Sequence, residues 1–237
     1  MKQSQAKKRD NAMTNKILMG LIALVLGLLF LEILIVHSKN EQQKNASNQV
    51  QTARIMANGD LLYHDGLYMS ALQADGSYDF TENFTYVKPW LKQADLVLGD
   101  FEGTINPDYP LSGYPLFNAP QSVTAAIKDA GYDVMDLAHN HILDSGLEGA
   151  FTTADAFKKV GIDPIGVYEK PVRDKAPLLI KNVNGIKVAI LSYAYGYNGL
   201  ESNLTDKEVA DHLSNLDEKR MKAEIERAEK EADITVI

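Results

Sequence analysis

The sequence predicts an α/β layered domain with flanking helices, preceded by one N-terminal transmembrane helix. From residue 53 onward, short apolar runs alternate with amphipathic helical stretches, which is typical of a layered α/β domain. One long apolar segment stands near the N-terminus. The chain has 237 residues, so removing such a segment still leaves enough residues for one domain with its own core.

The apolar segment runs from Ile17 to Val36 and contains a single charged residue, Glu32. A helix of this length spans about 30 Å, the thickness of the hydrocarbon core of a bilayer. The alternative is a cleaved signal peptide, whose apolar region is shorter and ends at small residues. Here the polar residues 37–41 follow without such a site, so the sequence favours an uncleaved signal anchor.

Flanking charge predicts the orientation of this anchor. Five Lys or Arg residues precede it within residues 1–16, whereas only Lys39 and Lys44 follow within residues 37–52. Because positive charge is retained in the cytoplasm, residues 1–16 form a cytoplasmic basic tail. Residues 37–52 are then a polar stalk and residues 53–237 an extracellular domain on a single-pass protein of the cell membrane.

Charge and cysteine content exclude several classes of site. The first 36 residues carry a net charge of +3. Because the whole chain carries −8, residues 37–237 carry −11. An acidic domain is poorly suited to binding nucleic acid, but it suits the binding of cations. The absence of cysteine from the sequence excludes disulfides, zinc–thiolate sites and lipidated cysteine anchors.

Hydrophobic periodicity and turn signals place the elements of the main domain. The predicted strands are 54–58, 96–98, 134–137, 163–166, 178–182, 187–193 and 235–237. The predicted helices are 86–93, 120–130, 146–160, 206–214 and 217–231. Gly131 and Gly161 stand where two of these helices end. Asn184-Gly185 predicts a hairpin between two strands.

The chain ends at Ile237, within the last predicted strand. A natural α/β domain seldom ends inside an inner strand without a following loop or helix. We therefore expect the domain to be incomplete at its C-terminus.

Three predicted strands end in turns that carry carboxylates or histidines. These turns are 59–65 with Asp60 and His64, 99–103 with Asp100 and Glu102, and 139–146 with Asn140, His141 and Asp144. In open α/β sheets ligands bind beyond the carboxyl ends of strands, so neighbouring strands would bring these turns to one crevice. The mixture of oxygen and imidazole ligands suits a divalent metal, Mn, Fe, Zn or Mg.

Each of these turns also has a purely structural interpretation. A Gly-Asp pair after a strand is common as a turn or a helix cap. Asn140 and Asp144 could cap the helix that begins near Gly146. The three turns together, at successive strand ends, favour a site more strongly than any one of them does.

At these residues the sequence resembles the CapA (PgsA) family of capsule and poly-γ-glutamate biosynthesis proteins. The domain of that family looks like the calcineurin-like metallophosphatase fold. Residues 138–146 match the family's Ala-Asn-Asn-His-x-x-Asp-x-Gly signature, with His139 in place of the first Asn. Asp100-Phe101-Glu102 stands in place of the usual Asn-Leu-Glu, and Gly59-Asp60 resembles the first-strand motif. The resemblance extends from about Ala53 to Ile237.

The resemblance implies a metallophosphatase-like sheet and specific roles for residues. Metal ligation is implied at Asp60, Asp100, Glu102 and Asn140. His141 would stabilise or protonate the reacting group, and Asp144 would orient that histidine or its loop. His64 remains open as a further site residue.

One departure from the family concerns the end of the chain. The family's later His-Trp-Gly-x-Glu-Tyr motif and a further histidine motif are absent from this sequence. The chain by itself is therefore expected to bind metal poorly and to be catalytically inactive.

The resemblance implies a membrane-anchored accessory protein in the synthesis or export of an extracellular anionic polymer, either a capsule or poly-γ-glutamate. Its implied partners are the membrane, other membrane-bound subunits and the polymer, without nucleic acid. The strand-end residues leave open a metal-dependent cell-surface hydrolase that cleaves a phosphoester or an amide of the polymer. A polymer-binding domain without catalytic activity is the third alternative.

Overall fold

The structure is a computed structural model that describes residue 19, residues 27–39 and residues 50–237. The chain divides into two compact units, Met1–Val50 and Gln51–Ile237. The predicted cytoplasmic tail 1–16 lies outside the described residues. So do parts of the predicted anchor 17–36 and of the predicted stalk 37–52.

In the first unit, residues 27–39 form a helix. All large apolar side chains from Leu28 to Val36 in this helix are exposed. Across the described residues, no helix is both long enough and apolar enough to cross a membrane.

The second unit contains two sheets, and the first is entirely parallel. Its strands lie in the order β1 (Ile55–Asp60), β2 (Leu96–Asp100), β3 (Val134–Asp136) and β4 (Asp163–Ile165). Each strand pairs in parallel with its neighbour. Since parallel strands need crossover connections, the helices between them lie outside the sheet plane.

The second sheet is mixed. It contains β5 (Leu179–Val183), β6 (Ile186–Ile190) and β7 (Ile234–Val236) in that order. β5 and β6 are antiparallel, and β7 runs parallel to β6. The predicted hairpin is confirmed: Asn184 and Gly185 have φ of 54° and 89° in a two-residue turn, the conformation that suits the twist of the flanking strands.

Six α-helices connect the strands of the described second unit. They are α1 (Asp65–Ser70), α2 (Lys88–Leu91), α3 (Val123–Ala130), α4 (Gly146–Lys159), α5 (Asp206–His212) and α6 (Glu218–Glu231). Short 3₁₀ turns lie at Thr81–Phe84, Arg173–Lys175 and Leu200–Asn203. Helix α5 begins with a capping box in which the Thr205 hydroxyl and the Glu208 side chain exchange hydrogen bonds with each other's backbone amides.

Side chains that point alternately to the two faces of each strand pack the domain into four layers. In β2, Val97 packs with the α3 and α4 residues Ile127 and Phe157 in the largest core. Leu96 points the other way, into a second core shared with Val188 of β6. A third core, which includes Ala228, packs α6 on the outer face of the second sheet. The order of layers is therefore helix, sheet, sheet, helix.

The predicted α/β class with flanking helices is confirmed, and its first sheet is parallel, but some elements differ from prediction. Helix α1 was not predicted, because its six residues are too few for an apolar period to be recognised. The predicted helix 86–93 is helical only at Lys88–Leu91. Strand β3 ends at Asp136, one residue earlier than predicted.

Gly166, directly after β4, allows the close approach of the loop that follows β3. Its φ is 99°, and a Cβ at this position would lie 2.6 Å from the backbone nitrogen of Ala138. A side chain here would therefore push against the backbone just before His139. The position of the 139–146 turn depends on this contact.

A buried ion pair joins the connection after β4 to helix α6. The Arg173 side chain is fully buried, and its Nε and Nη2 each donate to a Glu224 carboxylate oxygen at 3.0 Å. Arg173 Nη1 also donates to the Leu213 carbonyl oxygen at 3.1 Å. Glu224 accepts a further hydrogen bond of 2.7 Å from the Tyr193 hydroxyl. This network connects the end of the first sheet to the helix covering the second.

Replacing Glu224 with alanine leaves the buried Arg173 guanidinium without its counter-charge. We expect the free energy of unfolding to fall by about 3–5 kcal/mol. Urea unfolding of the full chain in detergent micelles, followed by circular dichroism, measures the loss. Glu226→Ala alters an exposed glutamate of the same helix and should change the value by about 0.5 kcal/mol or less. Equal losses in the two variants would contradict a special role for the pair.

Candidate functional site

The site is built where β1, β2 and β3 end side by side. An irregularity in β1 between Ala57 and Asp60 sets Asp60 opposite Asp100, and Asp100 pairs with Asp136 on the next strand. Because these strands are parallel neighbours, their carboxyl ends meet at one edge of the sheet. The structure therefore brings three carboxylate-bearing positions together.

Asp100 lies at the centre of this cluster and is only partly accessible. Burial is the main cause that raises the pKa of Asp100, to about 7. The negative charges of Asp136, Asp60 and Glu102 raise it further. Asp100 Oδ1 is buried and meets no hydrogen-bond partner among the described residues. The negative charge of an ionised Asp100 is therefore left without a hydrogen-bond donor at this oxygen among the described residues.

Glu102 extends the cluster towards a histidine. Burial, followed by the contact with Asp60, raises the pKa of Glu102, while His141 acts in the opposite direction. His141 Nε2 lies 3.7 Å from Glu102 Oε1. Glu102 thus lies between the carboxylates of the first two strands and the His141 ring.

His141 is oriented by Asp144. Its Nδ1 lies 2.7 Å from Asp144 Oδ2, which also accepts a hydrogen bond of 2.6 Å from the Phe117 amide. Burial raises the pKa of Asp144, although these two hydrogen bonds favour its ionised form. Because a carboxylate oxygen accepts, the Nδ1 atom of His141 donates to Asp144, and Nε2 faces Glu102.

Asn140 and His139 sit in the same turn but have different environments. Asn140 is exposed, and its Nδ2 donates to Asn198 Oδ1 at 3.2 Å. His139 is buried, and burial lowers its pKa to about 3, so the ring is neutral at pH 7. Its Nδ1 accepts a hydrogen bond of 3.1 Å from the His141 amide. His139 therefore supports the shape of the turn.

His64 lies next to this cluster. It contacts Asp65 through Nδ1, and its Nε2 accepts from the Tyr114 amide at 3.4 Å. The Phe117 ring packs against both histidines, 5.7 Å from the His64 ring centre and 4.8 Å from that of His141. His64 is thus linked to His141 through an aromatic ring.

Two further residues of the site were not predicted from the sequence. Asp136 at the end of β3 accepts hydrogen bonds from the Ala138 amide, at 2.8 Å, and from the Ser192 hydroxyl. Burial raises the pKa of Asp136, and these hydrogen bonds oppose the rise. In the sequence Asp136 stands near the end of a predicted strand, but that strand was predicted to continue to Leu137, so Asp136 was not recognised as a strand-end carboxylate. Asn198 carried no comparable signal, because its loop follows a strand of the other sheet.

A cavity of about 550 Å³ opens beside the turn after β3. It lies between this turn and the loop after β6, and its lining includes Asn140, Tyr195 and Asn198. The volume suffices for a small ligand or a short segment of a polymer.

The donor set fits a divalent cation by its chemistry. Its carboxylate and amide oxygens are hard ligands, and the buried Asp100 Oδ1 lacks a partner within the described part of the chain. Among the described residues, no three His, Asp or Glu side chains lie close enough together to hold a metal ion. The assignment of Asp60, Asp100, Glu102 and Asn140 as ligands therefore stays a prediction.

Comparison with known proteins identifies relatives of the chain. It is 34% identical over 115 residues to "Capsule biosynthesis protein CapA" of Bacillus anthracis, an alignment that covers 46% of this chain and 28% of that protein. It is 25% identical over 189 residues to "PGA biosynthesis protein CapA" of Bacillus subtilis (strain 168), covering 78% of this chain and 48% of that protein. The chain thus spans less than half the length of these relatives.

The family model described as "Bacterial capsule synthesis protein PGA_cap" matches residues 54–237. This range includes all three strand ends of the site and both sheets. The resemblance to the CapA family inferred from the strand-end motifs is thereby confirmed. The chain belongs to the bacterial capsule synthesis protein family PGA_cap.

Proposed function

We propose that this chain takes part in the synthesis or export of an extracellular anionic polymer, a capsule or poly-γ-glutamate, as a membrane-anchored accessory protein. Its family supports a role in capsule synthesis, and the names of both Bacillus relatives refer to capsule or PGA biosynthesis. The partners in this proposal are the membrane, other membrane-bound synthesis or export subunits and the polymer.

The proposed anchor consists of residues 17–36, with residues 1–16 in the cytoplasm and residues 53–237 outside, carried by the stalk 37–52. The apolar run and the excess of Lys and Arg before it support this orientation. The exposed apolar side chains of the helix at 27–39 offer a surface suited to lipid.

This topology predicts two results in cells. The full chain should stay in the membrane fraction after alkaline carbonate extraction, whereas deletion of residues 17–36 should release it. Protease added to intact cells should digest the part from residue 53 onward. Release of the full chain by carbonate, or protection of that part from protease, would contradict the topology.

We further propose that the carboxylate site binds a divalent cation and that the domain is metallophosphatase-like. One observation carries the cation proposal: Asp100 has a partly buried carboxylate that faces three other acidic side chains, with one oxygen unpartnered within the described residues. The helix, sheet, sheet, helix layering supports the likeness of fold.

When bound, Mn, Fe, Zn or Mg would supply Lewis-acid chemistry and lower the pKa of a bound water. Asp60, Asp100, Glu102 and Asn140 are the residues that would hold the ion. Asp136, whose charge is already stabilised by the Ser192 hydroxyl and a backbone amide, would strengthen the negative field around it.

Asp100→Asn tests the cation site because it keeps the side-chain shape and removes the charge. We expect the Kd for Mn²⁺ to rise by at least about tenfold, measured by isothermal titration of the protein at its full natural length in detergent micelles. In metal-free protein the same variant should gain about 0.5–2 kcal/mol of stability, because it removes a poorly stabilised negative charge among like charges.

The matched control is Asp155→Asn, which removes an exposed carboxylate from α4. It should leave both Mn²⁺ affinity and metal-free stability unchanged. Mn²⁺ binding that is equal in wild type and Asp100→Asn would refute the proposed site.

A second candidate function is a metal-dependent cell-surface hydrolase. The specific observation in its favour is the His141–Asp144 pair, whose 2.7 Å contact leaves His141 Nε2 facing Glu102 as a proton acceptor or donor. Such a group could protonate the leaving group of a phosphoester or of an amide in the polymer.

The hydrolase candidate predicts Mn²⁺-dependent turnover of a generic phosphodiester or of poly-γ-glutamate by the protein at its full natural length. His141→Ala should lower kcat by about 10²–10⁴-fold, the usual contribution of a positioned acid or base. Asp155→Asn should leave it unchanged. The accessory function predicts no turnover and co-purification with membrane-bound synthesis subunits. Retention of polymer without added metal would instead favour a binding domain without catalytic activity.

A further inference from the structure

A short surface segment around helix α2 carries three large side chains that the described part of the domain leaves uncovered. Tyr86, Val87 and Trp90 are 89%, 46% and 65% exposed, and we call these three side chains the α2 patch. Trp90 is the single tryptophan of the sequence. A group of exposed apolar and aromatic side chains of this kind typically marks a contact with another protein or with a membrane.

The local structure explains why these side chains face outward. The Val87 carbonyl oxygen accepts from the amides of Trp90 and Leu91, at 2.9 and 3.0 Å, and so begins the turn of α2. Phe84, before the patch, and Leu91, at its end, both pack in or against the largest core. Because Val87 and Trp90 lie three positions apart, they share one side of the turn, and Leu91 takes the buried side.

The patch lies beside the point where the polypeptide enters the domain. The Gln93 amide donates to the Trp90 carbonyl oxygen at 3.0 Å. The Gln93 carbonyl oxygen accepts in turn from Arg54 Nη1 at 3.1 Å, and the Arg54 amide donates to Asp95 Oδ2 at 2.8 Å. Two hydrogen bonds therefore connect Trp90, through Gln93, to the second residue after the predicted stalk 37–52.

Positive charge accompanies the patch on a domain that is acidic as a whole. Residues 50–54 and 86–92 together contain three basic residues and no acidic one. Lys88 pairs with a carboxylate of α3. Lys92 is exposed, and the Arg54 guanidinium donates to a neutral carbonyl oxygen. The charges of Lys92 and Arg54 are therefore available to an anionic surface.

A lipid surface suits this combination of residues and this position. Trp and Tyr side chains concentrate at the level of the lipid headgroups, because their rings are apolar with one polar edge. Lys and Arg near them are attracted to anionic headgroups. A flexible stalk of 16 residues has a root-mean-square span of only about 20–25 Å, so the tether keeps the adjoining side of the domain near the bilayer.

We propose that the α2 patch rests in the headgroup region of the bilayer beside the tether, with Lys92 and Arg54 directed at anionic lipid. This contact rests on the proposed topology, in which residues 17–36 insert into the membrane. It also orients the domain. Since β1 runs from Ile55, next to the tether, to Asp60, the carboxylate cluster lies on the side away from the lipid.

The test uses Trp90 as its own probe. The full chain is reconstituted into vesicles of three parts phosphatidylcholine to one part phosphatidylglycerol, with or without bromine on the acyl chains near the headgroups. Bromine quenches an indole only on contact, and Trp90→Phe provides the blank. We expect brominated lipid to lower the emission of Trp90 at least about twofold, because interfacial indoles lie at this depth.

The matched control moves the tryptophan to the opposite edge of the sheet. Tyr195 is 95% exposed and lines the cavity beside Asn140. In the double variant Trp90→Phe, Tyr195→Trp, the introduced indole should keep its full emission in brominated vesicles and remain open to quenching by iodide in solution. Circular dichroism verifies that the variant folds.

Each other outcome has a distinct meaning. A chain that stays in the vesicles after carbonate extraction, with Trp90 emission unchanged by bromine, would overturn the lipid contact and leave the anchor intact. Protection of Trp90 from iodide without quenching by bromine would mean that protein, such as a second copy of this chain, covers the patch, and would also overturn it. Equal quenching at the two positions would overturn the orientation. Loss of the chain from the vesicles would refute the proposed topology and the tether on which the contact depends.

Discussion

The parallel register of β1, β2 and β3 brings Asp60, Asp100 and Asp136 to adjacent positions at one edge of the first sheet. Like charges this close, in a partly dry environment, disfavour one another's ionisation, and the raised pKa of Asp100 near 7 expresses that cost. A domain stabilised only by packing would gain by replacing one of these carboxylates with a neutral residue. Their presence together is consistent with a binding site in which a cation would offset the repulsion between the carboxylates.

The three carboxylates are not equivalent, and the difference depends on local hydrogen bonding. Asp136 accepts from a backbone amide and from the Ser192 hydroxyl, so its charge is partly stabilised by the protein itself. Asp100 Oδ1 has no such donor within the described residues. Of these two carboxylates, Asp100 therefore depends more on a stabilising group from outside the described residues. On the other side of the cluster, Asp144 and the Phe117 amide orient His141 towards Glu102, which places a group able to move a proton beside the proposed cation.

The acidic charge of the domain bears on its proposed partner. An anionic polymer is repelled by a domain with a net charge of −12 over residues 53–237, so direct contact between them needs a local positive charge. A divalent ion at the carboxylate cluster would reverse the local field at the ends of the three strands. Anchoring at the membrane would then keep this site close to the membrane-bound subunits that make or export the polymer.

Most of the secondary structure could be predicted from the sequence, because its signals are local. Apolar alternation, glycine at helix ends and Asn184-Gly185 in the hairpin depend only on near neighbours along the chain. The same holds for Asp60 and Asp100, which stand directly at strand ends. Helix α1 was missed because six residues carry too little periodicity.

The sequence by itself determined the apolar N-terminal segment, the acidic charge of the residues after it, the alternation of strands and helices, and the chemical character of the strand ends. Only the tertiary structure decided that β1, β2 and β3 are neighbours in register, which makes separate Gly-Asp turns into one cluster. It also decided that the loop after β6 packs on the first sheet and delivers Asn198 to the 139–146 turn. The physical reason is that strand order and the packing of one sheet on another depend on contacts between distant residues, which no local pattern in the sequence records.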